Sequence, residues 1–314
     1  MGLGSDSGGR GTAPEGTPHP PPAAPSGMGV VVSTARLIWG HPENAGRRGR
    51  RLARWVTWQA SQRALDRPWT ITLHRDVRMI CHPHDHITSL ALYCGLYDAA
   101  EMRFLLAWLR AGDTFLDVGA NVAPYSLLAS TVPGTQAVAF EPGTLAQSRA
   151  RANVALNELG GRVRLEPLAV SDHDGEATLT ADLWATNTLV TSGYRGPTET
   201  VRTVSLDSYA ESHDLGTVSL VKVDIEGHEE PALRGAAGLF ARSRPALIVE
   251  VNDPVALRAV ADDFGYSAVA LDTRTRGLAE RAWPTEPGGN IVLVPDVAAA
   301  RRRVVEGAAQ AFAT

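Results

Sequence analysis

Residues 114–130, TFLDVGANVAPYSLLAS, place an apolar strand, a turn of small residues and a helix in direct succession. Phe115, Leu116 and Val118 predict a buried parallel strand, because strands covered on both faces are apolar almost throughout. Gly119 and Ala120 then remove side-chain bulk where a ligand would approach the backbone. This succession predicts an α/β fold with a parallel sheet, and ordinary α/β packing without a ligand is the alternative for this turn taken alone.

The residues around the turn indicate which charge a ligand bound there would carry. A dinucleotide site needs glycines spaced as G-x-G-x-x-G, but Asn121 and Ala123 stand near the positions where later glycines would fall. The carboxylate of Asp117, two residues before the turn, would repel a pyrophosphate and attract an ammonium group. S-adenosylmethionine carries an ammonium group beside a sulfonium, so the turn favours this cofactor over a nicotinamide dinucleotide.

A second predicted strand, residues 136–140, ends directly at Glu141 and Pro142. An acid about twenty residues after such a turn is placed to accept hydrogen bonds from ribose hydroxyls. Proline stops the strand where the acid must turn toward the crevice. The order strand, turn, helix, strand, acid therefore predicts a nucleoside site.

A third predicted strand contains Val163, Leu165, Leu168 and Val170 and ends at Ser171. Val170 would pack on an adenine ring, and the Ser171 hydroxyl would bond the adenine amine. Ordinary turn chemistry is an equally good interpretation of the polar residues that follow.

A fourth predicted strand, residues 219–223, ends in the densest cluster of ionisable residues, DIEGHEE. Ligands of open parallel sheets bind beyond the carboxyl ends of the strands. Asp224 and Glu226 are therefore expected in the same crevice as Asp117 and Glu141. Lys222 shares a strand face with Asp224, which favours a structural ion pair.

Four segments resemble the FkbM family of S-adenosylmethionine-dependent methyltransferases: FLDVGANVAPYSLLAS, AFEPGTLAQSRARANVALN, VKVDIEGHEEPALRGA and LIVEVN. The resemblance covers residues 97–295, and DIEGHE after a lysine-bearing strand is its most distinctive element. It implies a class I methyltransferase (Rossmann-like) fold, a seven-stranded mostly parallel sheet with helices on both faces and an antiparallel last strand. The family usually has glycine where this chain has Ala123.

This resemblance and the residue patterns together predict where S-adenosylmethionine binds. The expected cofactor contacts are Asp117, Gly119, Ala120, Asn121, Ala123, Glu141, Pro142, Val170, Ser171 and Asp224. We expect methyl transfer by in-line displacement to a hydroxyl of a small molecule, a sugar or a natural-product intermediate. An N-methyltransferase and a non-catalytic binding protein with the same fold are the alternatives.

Three residues are candidates for the catalytic step. His228 is the best general base because histidine titrates near neutral pH, although a solvent-facing histidine is the alternative. Glu226 would orient His228 or act as the base itself, and Asp224 lies at the same strand end. Glu229 and Glu230 are expected only to favour the start of a helix.

The acceptor side is expected to include Glu250 at the end of the fifth strand, together with Tyr97 and Trp184. We assign no metal site. Mg²⁺ held by Asp224, Glu226 and Glu250 nevertheless stays open, because carboxylates suit that ion. His82, His84 and His86, with Cys81 nearby, are a second group whose ordinary interpretation is partly exposed histidines.

The chain is predicted to divide into four parts. Residues 1–28 are rich in Gly, Pro and Ser and predict a disordered tail. Residues 29–110 form a lid and substrate section, residues 111–296 the methyltransferase core, and residues 297–314 a C-terminal helix. The arginines of the lid section are expected to be solvated, with an acidic partner or an anionic carrier as the alternative. They are Arg47, Arg48, Arg50, Arg51 and Arg54.

Composition limits the classes of partner. With 314 residues, of which 44% are hydrophobic, the chain can bury one large core, and a net charge of -4 argues against nucleic acid. Two cysteines, Cys81 and Cys94, are too few for a disulfide framework and fit a reducing cytoplasm. The apolar runs are too short for a membrane span, so we expect no membrane partner, with a homodimer as an open alternative.

Overall fold

The computed structural model describes residues 27–181, 187–190 and 193–312. The front part, which precedes the first core strand, contains four helices and a β-hairpin. These are α1 (Gly27–Gly40), α2 (Arg48–Leu65), β1 (Trp69–His74), β2 (Val77–Cys81), α3 (His86–Cys94) and α4 (Ala99–Trp108).

The first half of the core alternates strands and helices, as the sequence predicts. It contains β3 (Thr114–Val118), α5 (Pro124–Ala129), β4 (Gln136–Phe140), α6 (Thr144–Leu156) and β5 (Val163–Glu166). A small three-stranded sheet and a helix follow. These are β6 (Leu168–Ser171), β7 (Gly175–Thr180), β8 (Thr198–Ser205) and α7 (Leu206–Ser212).

The second half of the core begins with the strand that precedes the acidic cluster. It contains β9 (Val218–Val223), α8 (Glu229–Arg234), α9 (Ala237–Ser243), β10 (Ala246–Glu250), α10 (Pro254–Phe264), β11 (Ser267–Asp272), β12 (Gly277–Glu280), β13 (Asn290–Val294) and α11 (Val297–Phe312). No helix within the described ranges combines the length and the apolar character needed to cross a bilayer.

The central sheet has the order β12-β11-β13-β10-β9-β3-β4-β5. Strands β3, β4, β5, β9 and β10 are parallel, and β13 is antiparallel to its neighbours β10 and β11. The mostly parallel α/β architecture and the antiparallel last strand are therefore confirmed. The described sheet has eight strands instead of seven, because β12 adds an edge strand by pairing antiparallel with β11.

Alternate residues of the central strands enter two separate apolar clusters, one on each face of the sheet. Phe115 and Leu220 pack with helices of the front part and with α5 and α11. Leu116 and Val221 pack with α7, α8, α9 and α10 on the opposite face. Helices thus cover both faces, which explains why the central strands are apolar almost throughout.

The predicted third strand is split in two. Pro167 lacks a backbone N–H and separates β5, which extends the central sheet, from β6, which pairs with β8 in the small sheet. Val170 and Ser171 therefore lie outside the central sheet, and the expectation of one continuous strand was wrong.

Candidate active site

A cavity of about 350 Å³ lies at the carboxyl ends of β3, β4, β9 and β10. This is the edge where open parallel sheets bind ligands. Most residues predicted for the site line it, and the front part contributes a wall through α3. The predicted residues on the lining are Tyr97, Asp117, Gly119, Ala120, Asn121, Glu141, Pro142, Val170, Asp224, Glu226, His228 and Glu250. Ala123 and Ser171 are absent from that lining, and Trp184 lies outside the described residues.

The turn after β3 is fixed by backbone hydrogen bonds. The amides of Gly119 and Ala120 both donate to the carbonyl oxygen of Phe140, each at 3.0 Å. Asn121 and Ala123 adopt positive φ of 51° and 65°, which is uncommon for residues other than glycine. Ala123 is fully buried at the start of α5, and its contact with the cofactor stays a prediction.

Asp117 holds the start of α5. Its Oδ2 atom accepts hydrogen bonds from the backbone N–H of Ser126 at 3.0 Å and from the Ser126 hydroxyl at 2.7 Å. Burial raises the pKa of Asp117, while the charge of Lys222 opposes that shift. Asp117 lines the cavity, but one of its oxygens already serves the fold.

Glu141 is held by backbone amides on both carboxylate oxygens. Asn121 N–H donates to Oε2 and Gly143 N–H donates to Oε1, each at 2.8 Å. Burial raises the pKa of Glu141 to about 7, although both amide hydrogen bonds favour its ionised form. The hydrogen bond from Asn121 joins Glu141 directly to the turn after β3. The turn and the acid, which are both predicted to bind the cofactor, are therefore held together.

Lys222 is the buried cation of the site. Its Nζ atom donates to Asp224 Oδ2 at 2.6 Å and lies 4.8 Å from the centre of the Tyr125 ring. It is paired in register with Asp117 on the neighbouring strand. Burial opposes ionisation of Asp224, but the charge of Lys222 and the hydrogen bonds with Lys222 and Glu250 together lower the pKa of Asp224. The predicted structural ion pair is therefore present.

Asp224, Glu226 and Glu250 bring carboxylate oxygens within 4.8 Å of one another. Burial, followed by the charges of Asp224 and Glu226, raises the pKa of Glu250 to about 8. Three carboxylates are ligands of the type that Mg²⁺ prefers. Lys222 already provides a cation at Asp224, and Asn252 donates to Glu250 Oε2 at 2.7 Å.

Glu229 does more than favour the start of a helix. It is buried, and its Oε1 atom accepts from the backbone N–H groups of Ile225 at 3.2 Å and Gly227 at 3.1 Å and from the Asn252 amide at 3.1 Å. These bonds fix the DIEG turn, in which Gly227 has φ of 92°. The expectation that Glu229 acts only on the helix dipole was wrong.

His228 lines the cavity at the start of α8. Its Nε2 atom lies 3.0 Å from Ser171 Oγ, and that hydroxyl is 3.1 Å from Asp172 Oδ1. Burial lowers the pKa of His228, which favours the neutral imidazole. Within the described residues it is Ser171, not Glu226, that bonds the histidine ring, and the contact of Ser171 with adenine stays a prediction.

One residue of the site carried no signal in the sequence patterns. Asp98, between α3 and α4, accepts a hydrogen bond from the Tyr125 hydroxyl at 2.9 Å. Both side chains line the cavity next to Tyr97. Asp98 precedes the first core strand and belongs to no recognised motif, so only the folded arrangement identifies it.

The histidines of residues 82–86 do not form a metal site in the described parts of the chain. The only cluster of metal-ligand type there is the Asp224, Glu226 and Glu250 group. His86 begins α3 and lines the main cavity. Burial raises the pKa of the Cys81 thiol to about 12, which disfavours the thiolate that binds metals.

The model of the Methyltransferase FkbM domain matches residues 117–267, which hold the end of β3, the turn, Glu141 and the DIEG segment. This segment therefore resembles the methyltransferase FkbM family. The FkbM resemblance of the sequence motifs is confirmed, and the matched domain contains most of the cavity lining.

Two relatives of known description share sequence with the FkbM domain. The hexuronic acid methyltransferase AglP of Haloferax volcanii is 28% identical over 151 residues, covering 48% of this chain and 61% of the relative. The 31-O-demethyl-FK506 methyltransferase FkbM of Streptomyces tacrolimicus is 40% identical over 73 residues, covering 23% of this chain and 27% of the relative. The chain thus spans less than two thirds of the length of either relative.

Solved structures with related folds include the methyltransferase FkbM from Methylobacillus flagellatus. It shows a TM-score of 0.40 and 14% identity over 66% of this chain and 52% of its own. The O-methyltransferase from Bacillus cereus, solved with SAH, shows a TM-score of 0.38 and 17% identity over 62% of this chain and 80% of its own.

Proposed function

We propose that the protein transfers a methyl group from S-adenosylmethionine to a hydroxyl of a small-molecule acceptor, a sugar or a natural-product intermediate. The match of residues 117–267 to the methyltransferase FkbM domain supports methyl transfer. The names of the two relatives, one acting on hexuronic acid and one on 31-O-demethyl-FK506, support a hydroxylated small molecule as the acceptor.

The observation that carries this proposal is the fixed carboxylate of Glu141. Two backbone amides hold its oxygens at the cavity, and each oxygen keeps a lone pair that can accept a further hydrogen bond. Such an acceptor suits the two hydroxyls of a ribose. Pro142 and Val170 beside it offer apolar surface for the adenine ring, and the nearby Asp117 and Asp98 suit the ammonium group.

When bound, S-adenosylmethionine supplies a sulfonium with a good leaving group, so the chain must align the acceptor, exclude water and remove a proton. We assign proton removal to His228. Because Ser171 holds the Nε2 edge of the ring, Nδ1 is the nitrogen left to accept the acceptor's proton. Glu226 and Asp224 would shape the field around the acceptor hydroxyl.

The acceptor would lie between the DIEG turn and the front part. Glu250 and Tyr97 line this side, together with the His86 side chain of α3. The raised pKa of Glu250 keeps it largely protonated at neutral pH, so it can donate a hydrogen bond to an acceptor oxygen.

One observation favours a second candidate, an N-methyltransferase. Besides the largely protonated Glu250, Asp224 and Glu226 face this end of the cavity, and the buried cation Lys222 is already bonded to Asp224. An amine that approaches as a cation would be attracted there before it loses a proton. Mass analysis of products made from matched alcohol and amine acceptors distinguishes the two reactions.

Calorimetric titration with S-adenosylmethionine tests the cofactor assignment. The full chain should bind it, and Glu141→Gln should bind it more weakly by about tenfold, since a lost hydrogen bond to a charged group costs about 1.5 kcal/mol. Glu176→Gln, an exposed glutamate on β7, is the matched control and should bind as the parent does. Absence of binding to the parent would refute the proposal.

A mass gain of one methylene in an acceptor tests turnover. If the parent binds the cofactor and yet methylates none of a panel of hydroxylated and amine-bearing small molecules, the non-catalytic binding protein becomes the better description. A nicotinamide cofactor that stabilises the protein against heat more than S-adenosylmethionine does would instead identify an oxidoreductase.

A further inference from the structure

We propose that α1 and α2 bind the surface of a membrane that contains anionic lipids. The two helices form the N-terminal helix pair, residues 27–65 of the described chain. This pair lies outside the matched FkbM domain and contributes no residue to the cavity lining. Its surface combines exposed apolar side chains with exposed arginines, and both features indicate a surface that binds a partner.

The apolar side chains are unusually exposed for their type. Those on α1 and α2 with exposures between 41% and 60% are Val30, Val31, Val32, Leu37, Trp39 and Val56. On α1, Ile38 is fully buried and anchors the helix to the core. Isolated exposed apolar residues are ordinary, but five within ten residues of one helix are a surface that water solvates poorly.

The charge of the same segment is strongly positive. Residues 29–65 contain seven arginines and one acidic residue, Glu43, whereas the whole chain carries a net charge of -4. Both carboxylate oxygens of Glu43 accept from Arg103, each at 2.7 Å, so this acid does not offset the exposed arginines. The exposed arginines are Arg36, Arg47, Arg48, Arg50 and Arg63.

One contact joins the apolar and basic features. The guanidinium of Arg48 on α2 lies 5.5 Å from the centre of the Trp39 ring on α1. Tryptophan and arginine are both suited to the membrane interface, where the ring meets the acyl boundary and the guanidinium meets lipid phosphate. The helix pair thus presents apolar and cationic groups side by side.

The arrangement favours lipid over an acidic protein. Successive residues of a helix differ by about 100° in direction, so the three consecutive valines span about 200° of the α1 circumference. A protein partner would need separate pockets for side chains that diverge so widely. A lipid surface adapts to them, and each arginine near an anionic leaflet adds about 1 kcal/mol.

The helix pair is also attached to the wall of the cavity. Gln59 of α2 donates to the Tyr93 hydroxyl of α3 at 3.1 Å, and Arg51 donates to the Leu92 carbonyl at 3.4 Å. His86, Ile87 and Leu90 of α3 line the cavity. Lipid binding would therefore hold the cavity close to the membrane surface.

Flotation of the full chain with vesicles tests this inference. We expect the protein to float with vesicles of phosphatidylcholine and phosphatidylglycerol, not with phosphatidylcholine alone, and to be released by salt. Arg50→Gln should weaken binding about fivefold. Arg242→Gln on α9, an exposed arginine on the opposite face of the sheet, is the control and should bind as the parent does.

A second pair of variants tests the apolar contribution. Val32→Ser should weaken vesicle binding, whereas Val255→Ser on α10, where the valine is 79% exposed, should not. S-adenosylmethionine affinity should be the same in all four variants, so failure of the membrane inference is distinguishable from failure of the proposed function.

Several results would overturn the inference. One is equal flotation with both kinds of vesicle or with neither at low salt. Another is retention on immobilised polyglutamate without vesicle binding, which would assign the surface to an acidic protein. A third is a dimer in sedimentation velocity that Val32→Ser dissociates, with no vesicle binding by the parent, which would assign it to a second copy of the chain.

Discussion

Gly119 lies so close to Asp224 that a Cβ atom at position 119 would stand 1.8 Å from the Asp224 carbonyl oxygen. This contact packs the turn after β3 directly against the end of β9. Gly119 also has φ of 75°, a conformation that side chains with a Cβ rarely adopt. The turn after β3 and the DIEG segment therefore keep their relative position only with glycine at position 119.

Gly119→Ala is expected to destabilise the fold by about 2–5 kcal/mol. This range is the sum of the cost of overpacking and the cost of a left-handed backbone conformation. Gly112→Ala is the matched control, because Gly112 has φ of 88° and a Cβ atom at that position would have no other atom within 4 Å. The control should lose only about 1–2 kcal/mol in urea unfolding. Equal losses in the two variants would contradict a close contact between Gly119 and Asp224.

Cofactor affinity is expected to rise with pH as Glu141 ionises. With a pKa of about 7, the carboxyl is half protonated near neutral pH, and only the carboxylate offers both oxygens as acceptors. Titrations with S-adenosylmethionine at pH 6, 7 and 8 should show tighter binding at each step. Glu141→Gln should abolish this trend, and a parent-like trend in that variant would assign it to another group.

The same shift predicts how stability depends on pH. Because the folded pKa of Glu141 lies above its ordinary value of 4.5, the protonated form is favoured by folding. Below about pH 4.5, Glu141 therefore contributes about 3 kcal/mol to the free energy of unfolding. This contribution is lost as the pH rises through about 7. Urea unfolding between pH 5 and 8 should show a shallower decline for Glu141→Gln than for the parent.

Turnover is expected to depend on a neutral His228. Burial lowers the pKa of this histidine, so the rate should rise with pH around a midpoint below about 6.5. It should level off once His228 is neutral. His228→Gln should lower kcat by about a hundred- to ten-thousand-fold while the affinity for S-adenosylmethionine stays unchanged. Ser171→Ala, which frees the ring, should shift the midpoint and lower kcat less. Unchanged kcat in His228→Gln would remove this residue from the mechanism.

Lys222→Met is expected to destabilise the fold by about 3–5 kcal/mol, because it leaves Asp117 and Asp224 buried without their cation. Arg234→Met is the control, since its partners Glu230 and Asp263 lie at the surface and such pairs contribute less than about 1 kcal/mol each. Adding Asp224→Asn to Lys222→Met should restore part of the loss. Thermal and urea unfolding of the three variants measure these differences.

The sequence predicted the elements in which a local pattern determines the structure. The β3 turn, the acid at Glu141 and the DIEG cluster each follow a strong apolar run, and parallel strands bring such ends together. Pro167 was a detectable signal for the break between β5 and β6, because proline cannot continue a central strand.

Other features depend on contacts between distant parts of the chain. Strand β12 has the sequence GLAE, without β-branched or aromatic residues, and it forms by pairing with β11. Glu229 looked like a helix-start residue because its partners Ile225, Gly227 and Asn252 meet it only in the folded turn. The contact of Ser171 with His228 spans 57 positions and leaves no local trace.

The hydrogen bond from Tyr125 to Asp98 has a consequence for protein engineering. Asp98 belongs to the front part, whereas Tyr125 belongs to the matched domain. A chimera that exchanges only the segment before β3, in order to change acceptor choice, would strand a buried tyrosine hydroxyl without its acceptor. A chimera of two homologues should therefore take Asp98 and Tyr125 from the same parent.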